Sequence, residues 1–580
     1  MGKFKNRTTG KTVELTDDIF VTKGGEGSIY ILGDTVYKIC DPGKMIPEEK
    51  LKELSVLDHP RIIRPLDVLL EKNKPVGYTM RLVPNNAKPL AQTLTKAYQN
   101  REGVTPQNKI DQIQQIADTL RFIHGHDGYL QVDGNEFNYM VSEKHDEIHF
   151  IDVNSFQTPH FPADAIMSSI RDWHVPKDPI TGMYCWTKLS DWYSFAIISF
   201  YMFTAIHPFK GRHPDYPNMK TLMYDQMLNC KSVLDPKTEY PLGAVYHPFE
   251  DVIPGGKDGA FMRWYRAIFI ENKRLAAPKD FQGVLAFVAK VREIIGSNNF
   301  DIREIRDFID EIIGYYEQAG NEVVVTKNNI FLNKNRFDKP TQRFRIGFTT
   351  NNVPFVCWIE DETFKLQNLQ TGQPIQANIT GTDLMSCEGR VYIKSYQNIF
   401  EINFIEKNTI IAAPVSATTI MPNATRMFQG VVVQDVFGAL MFSIFPKSGR
   451  HHSIQIRGLE KHKIVDAKYE RNVLMILAVE KESGEYSRFI FRFSADYQSY
   501  DTRVVNDITP TGINFTVIER GICICITEEE KVEIFSNQKD NNDVKSYDDP
   551  AIDSDMRLCH AGDLVRFART NKLYNFSVKK

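Results

Sequence analysis

Tyr129-Leu130-Gln131-Val132-Asp133-Gly134-Asn135-Glu136-Phe137-Asn138-Tyr139-Met140-Val141 is the most informative stretch of this 580-residue chain. Before it, IDQIQQIADTLRFIHG (110–125) spaces Ile110, Ile113, Ile116, Ala117, Leu120 and Ile123 along one helical stripe. After it, EIHFIDVNSF (147–156) reads as a strand that carries Asp152. Asp133 and Asn138 therefore fall in a loop bounded by apolar runs, and Asp152 ends the second strand of a hairpin. Taken singly, each is the kind of residue that turns and caps use. Taken together, Asp133 can orient a hydroxyl while Asp152 and the amide oxygen of Asn138 hold magnesium, a hard cation suited to oxygen ligands.

Two features upstream fit that chemistry. Lys23-Gly24-Gly25-Glu26-Gly27-Ser28 lies between strand-like runs, DIFVT and IYIL. Gly24, Gly25 and Gly27 let backbone amides come close to a phosphate. TVYKIC (35–40) alternates like a strand and follows a Gly33-Asp34 turn. The hairpin puts Lys38 beneath the glycine loop, where an inward-facing ammonium needs a partner and a phosphate suits it.

In this order, glycine loop, lysine, D-x4-N and a later Asp, the segment from about residue 15 to 280 resembles a protein kinase. IDVNSFQ (151–157) is most similar to a group of bacterial and phage kinase-like proteins that carry I-D-x-D-S-F-Q. The resemblance implies a bilobal fold, with a β-rich lobe over 1–83 and a helical lobe over 84–280. It implies ATP and Mg2+ as cofactors. Lys38 would anchor ATP, Asp133 would act on a protein Ser or Thr, and Asn138 and Asp152 would hold magnesium. Glu49, on the helix-like PEEKLKELSVLDHP (47–60), would pair with Lys38, with Glu53 one turn on as the alternative. Met80, Arg81 and Leu82 fall at the gatekeeper and hinge, whose backbone would bind adenine. Asp191 in SDWYSF would be a buried acceptor for catalytic-loop amides, and Arg274 would need an acidic partner, with Asp178 a candidate.

The sequence also departs from the family. Thr22 stands for the first loop glycine, Gln131 for the histidine of H-R-D, Asn135 for the lysine two after the catalytic Asp, and Asn154 for the glycine of D-F-G. Two further readings therefore stay open: a pseudokinase scaffold that binds nucleotide without turnover, and a small-molecule kinase.

At roughly 100–200 residues per domain, this length holds more than one core. The net charge of −3 gives no global field for nucleic acid or a membrane surface, so neither is an expected partner. No CxxC or zinc spacing occurs among the eight cysteines, and no apolar run has the length of a membrane span. With no leader-like start, the expected location is cytoplasmic.

Helical periodicity continues through FMRWYRAIFI (261–270), FQGVLAFVAKVREII (281–295) and IREIRDFIDEIIGYYEQ (302–318), so 281–320 is expected to be a helical linker. After it, short β-rich runs follow Gly389, Gly430, Asn472, Gly521 and Gly562, at intervals of 41, 42, 49 and 41 residues. That period suits a β-propeller over 321–580, with about six blades, and EVVVTKNNIFLNK (322–334) is expected to close the ring against the last blade. A pair of β-sandwiches is the alternative. The propeller would recognise a protein substrate or partner. KSGRHHSIQIR (447–457) reads as a solvated loop, and NQKDNNDVKSYDDPAIDSD (537–555) as a polar loop between blades.

Overall fold

The computed structural model describes residues 2–84, 87–163, 165–216, 223–246, 248–279 and 296–579. The expected helix at 281–295 lies outside them. The chain starts with a seven-stranded antiparallel sheet. Its order is Thr12–Leu15, Gly2–Asn6, Pro65–Glu71, Lys74–Arg81, Thr35–Cys40, Gly27–Leu32 and Phe20–Lys23. The strand bearing Lys38 is thus interior. It pairs with Gly27–Leu32 on one side and Lys74–Arg81 on the other. Close packing across these strands requires glycine: a Cβ on Gly27 would lie 2.1 Å from the Ile39 carbonyl oxygen.

Helices follow. Pro106–His124 starts at a capping box in which Thr105 and Asn108 exchange hydrogen bonds. Its apolar stripe is buried as the periodicity predicts. Lys188–Thr204 is capped by Thr187, and every residue from Ser190 to Thr204 is buried. This all-round burial makes it the central helix of the largest core, packed against Pro106–His124 and Ala260–Phe269. Between these helices, Tyr139–Val141 and Ile148–Phe150 form the expected hairpin, extended by Lys88–Pro89.

From residue 300 the regular structure is strand, with one short 3-10 turn at Pro422–Ala424. Seven small sheets succeed one another, antiparallel throughout but for the short parallel pairing of Gln376–Ala377 with Ile410–Thr419. Six are built from consecutive strands; the seventh joins Phe300–Asp307 to the last three strands, pairing directly with Lys572–Val578. Residues 302–318 are therefore two strands, Phe300–Asp307 and Ile312–Gln318, and not a helix. The β-rich half accordingly begins before residue 321, and Phe300–Asp307 makes the contact with the final strands expected of 322–334. Asn321–Thr326 and Asn329–Leu332 instead lie inside their own sheet. Arg450–Gln455 and Val544–Asp548 are also strands, in stretches read as loops.

The repeat in the sequence marks one turn in each of five of the seven sheets. Gly389, Gly430, Asn472, Gly521 and Gly562 each lie in the turn that leads into a strand of their sheet, with φ between 57 and 79°. A tight turn needs that left-handed backbone, which glycine and asparagine adopt at least cost. Hydrophobic clusters join each sheet to the next. Ile330 and Leu332 pack with Ile346 and Val356; Phe355 and Leu366 pack with Leu384 and Ile393. The last cluster brings Ala568 and Leu573 against Ile312 and Val324, so the seventh sheet returns to the first.

The two halves share a core. Val465, Leu477, Val479, Tyr486 and Ile508 belong to the same cluster as the buried helices. Phe20, from the N-terminal sheet, packs on Phe437 at 4.6 Å between ring centroids. Polar contacts reinforce this: Lys96 pairs with Asp555 at 2.8 Å, and the Ala97 amide donates to the Thr511 carbonyl. Among the described residues, no helix is long and apolar enough to cross a membrane.

Candidate active site

The loop 130–138 is held from below by the central helix. Asp191, buried in that helix, accepts hydrogen bonds from the Gln131 and Val132 amides at 2.9 and 2.8 Å. Its Oδ2 also lies 2.9 Å from His124 Nε2. These bonds hold Val132 at φ 62°, a costly conformation for a β-branched residue. Gln131 takes a support of its own, accepting from the Tyr139 hydroxyl at 3.0 Å.

Asp133 projects from this loop. Its Oδ1 accepts from the Met167 amide and its Oδ2 from Asn135 Nδ2, both at 3.0 Å. Burial pushes its pKa up, and the nearby Asp152 charge adds to this; the two hydrogen bonds oppose it but do not cancel it. Asn138 turns its Nδ2 to the Asp133 carbonyl at 2.8 Å, which directs its Oδ1 elsewhere. The Asn138 carbonyl accepts from the Ile151 amide, tying the loop to the strand that delivers Asp152. Asp152 has φ 57°, so the chain turns sharply at the carboxylate.

Lys38 enters from the sheet, its Nζ 3.7 Å from Asp152 Oδ1. Its nearest carboxylate is Glu26 of the glycine loop, at 2.7 Å. Glu26 also accepts from Asn154 Nδ2 at 3.0 Å, and Tyr78 donates to Asn154 Oδ1 at 2.9 Å. Burial works against the ammonium, but Tyr78, Asp152 and Glu26 outweigh it and hold its pKa well above the ordinary lysine value. Lys38, Glu26, Asn154 and Tyr78 form one closed network.

Other expected partners lie elsewhere. Glu49 is exposed on Glu48–Leu54 and is not among the partners of Lys38. Glu53 faces His160, with 3.4 Å between its Oε2 and the His160 amide. Met80 and Arg81 end the strand Lys74–Arg81, and the Leu82 amide donates to the Asp34 carbonyl at 3.1 Å, which withholds that donor from an adenine ring. Gly24 and Gly25 are exposed, and a Cβ on Gly25 would meet nothing within 4 Å, so the loop tip is open to a ligand. Thr22 donates to Asp435 at 2.5 Å, which anchors the strand before the loop to the C-terminal half. Arg274 pairs with Asp172, Nη2 to Oδ1 at 2.7 Å, and not with Asp178, which caps its own turn at Ile180 and Thr181.

Asp152 and the Asn138 Oδ1 are hard oxygens of the kind magnesium takes, and would be the groups to hold it. No cluster of three or more His, Cys, Asp or Glu side chains fit for a metal occurs among the described residues. Glu26, Tyr78 and Asn154 were not singled out by spacing as partners of Lys38. The signal for Glu26 was its place inside the glycine run, and for Asn154 its departure from the family pattern.

No family model matches the sequence, and no curated protein matches it. Among solved structures, the chain is similar to the Cydia pomonella granulovirus kinase PK-1, with 13% identity and a TM-score of 0.26. The match covers 32% of this chain and 69% of that one.

Proposed function

We propose that the chain is a protein kinase that transfers the γ-phosphate of ATP to Ser or Thr of a protein. One observation carries this reading. Three segments support it: the strand of Lys38, the loop of Asp133 and Asn138, and the turn of Asp152 are tied to one another by the Lys38–Asp152 pair and by the Ile151 amide on the Asn138 carbonyl. Asp133 would accept the proton of the acceptor hydroxyl, and its raised pKa makes it a better base than a solvated carboxylate. Lys38 would hold the α- and β-phosphates. Asn138 and Asp152 would hold magnesium, which supplies charge neutralisation at the phosphates. The seven successive sheets, closed by Phe300–Asp307 against Lys572–Val578, support a seven-bladed propeller over the C-terminal half. Its rigid loops would recognise a protein partner.

Phosphate transfer from γ-labelled ATP with magnesium, to the protein and to a generic protein substrate, tests the reading. Label is expected in the wild type and absent in Asp152→Asn, which weakens the magnesium site. A wild type that binds no Mg-ATP would defeat it.

A second reading, nucleotide binding without turnover, is favoured by the Lys38–Glu26 contact, since Glu26 occupies the ammonium a phosphate would use. The same assay separates the two. In either reading Glu26→Gln removes a competing charge, so Mg-ATP should bind several-fold more tightly, measurable by titration with a fluorescent nucleotide.

A further inference from the structure

The 133–138 loop brings negative charge and no cation to the reaction site. Asp133 sits there, Glu136 is buried beside it against Tyr486, and Asn135 is neutral. Asn135 is fully engaged, its Nδ2 with Asp133 and its Oδ1 with the Phe137 amide at 2.8 Å. Asp152 adds a third carboxylate from the neighbouring strand. Lys38 is the cation of the N-terminal half, and Glu26 already bonds it.

A second cation arrives from the C-terminal half. Lys463 lies on the strand His462–Glu470, two residues before Val465, which is part of the core shared by the two halves. Its Nζ sits 4.1 Å from the centroid of the Phe137 ring, within the 133–138 loop. Burial lowers the pKa of its ammonium below the ordinary lysine value, and the fields of Asp152, Glu136 and Asp133 oppose this. Lys463 is an exposed residue and makes no ion pair among the described residues, so it can meet an incoming anion. Its strand is fixed by neighbours on the same face. Tyr486 donates to buried Glu136 at 3.1 Å, and the Ser168 hydroxyl donates to the Ser483 carbonyl at 2.9 Å.

We propose that Lys463 is a catalytic residue of the phosphate-transfer site, contributed by the C-terminal half to contact the phosphoryl group as it moves. The proposal rests on the kinase reading. In the step, the acceptor oxygen forms a bond to the γ-phosphorus, and the bond from that phosphorus to the β–γ bridging oxygen breaks. The electron pair leaves with ADP, and the hydroxyl proton passes to Asp133. Lys463 keeps its proton throughout. It offsets charge gathering on the phosphoryl oxygens between three carboxylates, where a preorganised cation has most effect. The C-terminal half is then part of the catalytic cleft and not only a recruiting surface.

The test uses the full chain as wild type, Lys463→Met and Lys463→Arg, with thermal melts to compare folding. Transfer from γ-labelled ATP and affinities for Mg-ATP and Mg-ADP are measured for each. Lys463→Met is expected to lower turnover about 10²-fold and to weaken ATP relative to ADP by about tenfold, with Lys463→Arg recovering most of both. A methionine variant with wild-type turnover and an unchanged ATP-to-ADP ratio would overturn the proposal alone. If the wild type binds ATP but transfers nothing, the turnover reading fails while the affinity ratio still decides whether Lys463 meets the γ-phosphate. A wild type that binds neither nucleotide sinks the kinase reading, and Lys463's role with it.

Discussion

Asp133→Asn is expected to lower phosphate transfer by about 10³-fold while leaving nucleotide affinity within a few-fold of wild type. The geometry gives the reason. Asn keeps an oxygen to accept from the Met167 amide but cannot take a proton from a hydroxyl. Its amide would also face Asn135 Nδ2, a donor, so the loop must adjust locally. The wild-type pH profile supplies an independent check. The active form of Asp133 is the carboxylate, and its pKa is raised above the ordinary 3.8 by burial and by Asp152. Turnover should therefore be full at neutral pH and fall as the pH drops through that raised value, at a higher pH than a solvated aspartate would set. The acid limb should follow Asp133: a profile of kcat against pH that stays flat down to the ordinary aspartate range would contradict the assignment.

The largest stability effect is expected at Asp191. Asp191→Ala strands the amides of Gln131 and Val132 and removes the partner of His124, all in a dry part of the core. Each buried donor left unpaired costs about 1–3 kcal/mol, so the loss should be about 3 kcal/mol or more. The strained Val132 backbone would also relax, moving Asp133 off its position. Asp191→Asn keeps one acceptor oxygen and should cost roughly half as much. Chemical denaturation of the three proteins measures this. Equal midpoints for wild type and Asp191→Ala would show that the loop is held by something else.

The chemical core of the site was legible because its residues sit in short segments with fixed spacing. Asp133 and Asn138 share a loop whose ends are set by flanking apolar runs. Lys38 follows from strand alternation, and Asp191 from the resemblance of SDWYSF to a kinase helix. The partner of Lys38 was not legible. A helix acid one turn from another invites a choice between Glu49 and Glu53, yet Glu26 is nearer because the loop folds back over the strand. Arg274 was likewise matched to Asp178, whose carboxylate is already used by its own turn.

The same division runs through the C-terminal half. The recurring glycine or asparagine could be read directly, since a tight turn demands a left-handed backbone at that point. The state of residues 302–318 could not. Ile302, Ile305, Ile309 and Ile312 recur at helical spacing, but this stretch forms strands because Phe300–Asp307 finds hydrogen-bond partners in Lys572–Val578. Strand pairing depends on which edge is free in the folded chain, and that edge belongs to the far end of the sequence. By itself the sequence determined the helices at Pro106–His124 and Lys188–Thr204, the turns and the residue types of the proposed site, because these are set by local spacing and backbone preference. Only the tertiary structure decided which charges meet. It brought Glu26 to Lys38, Asp435 to Thr22 and Lys463 to the 133–138 loop, because contacts across a cleft are fixed by packing between distant segments that no local pattern records.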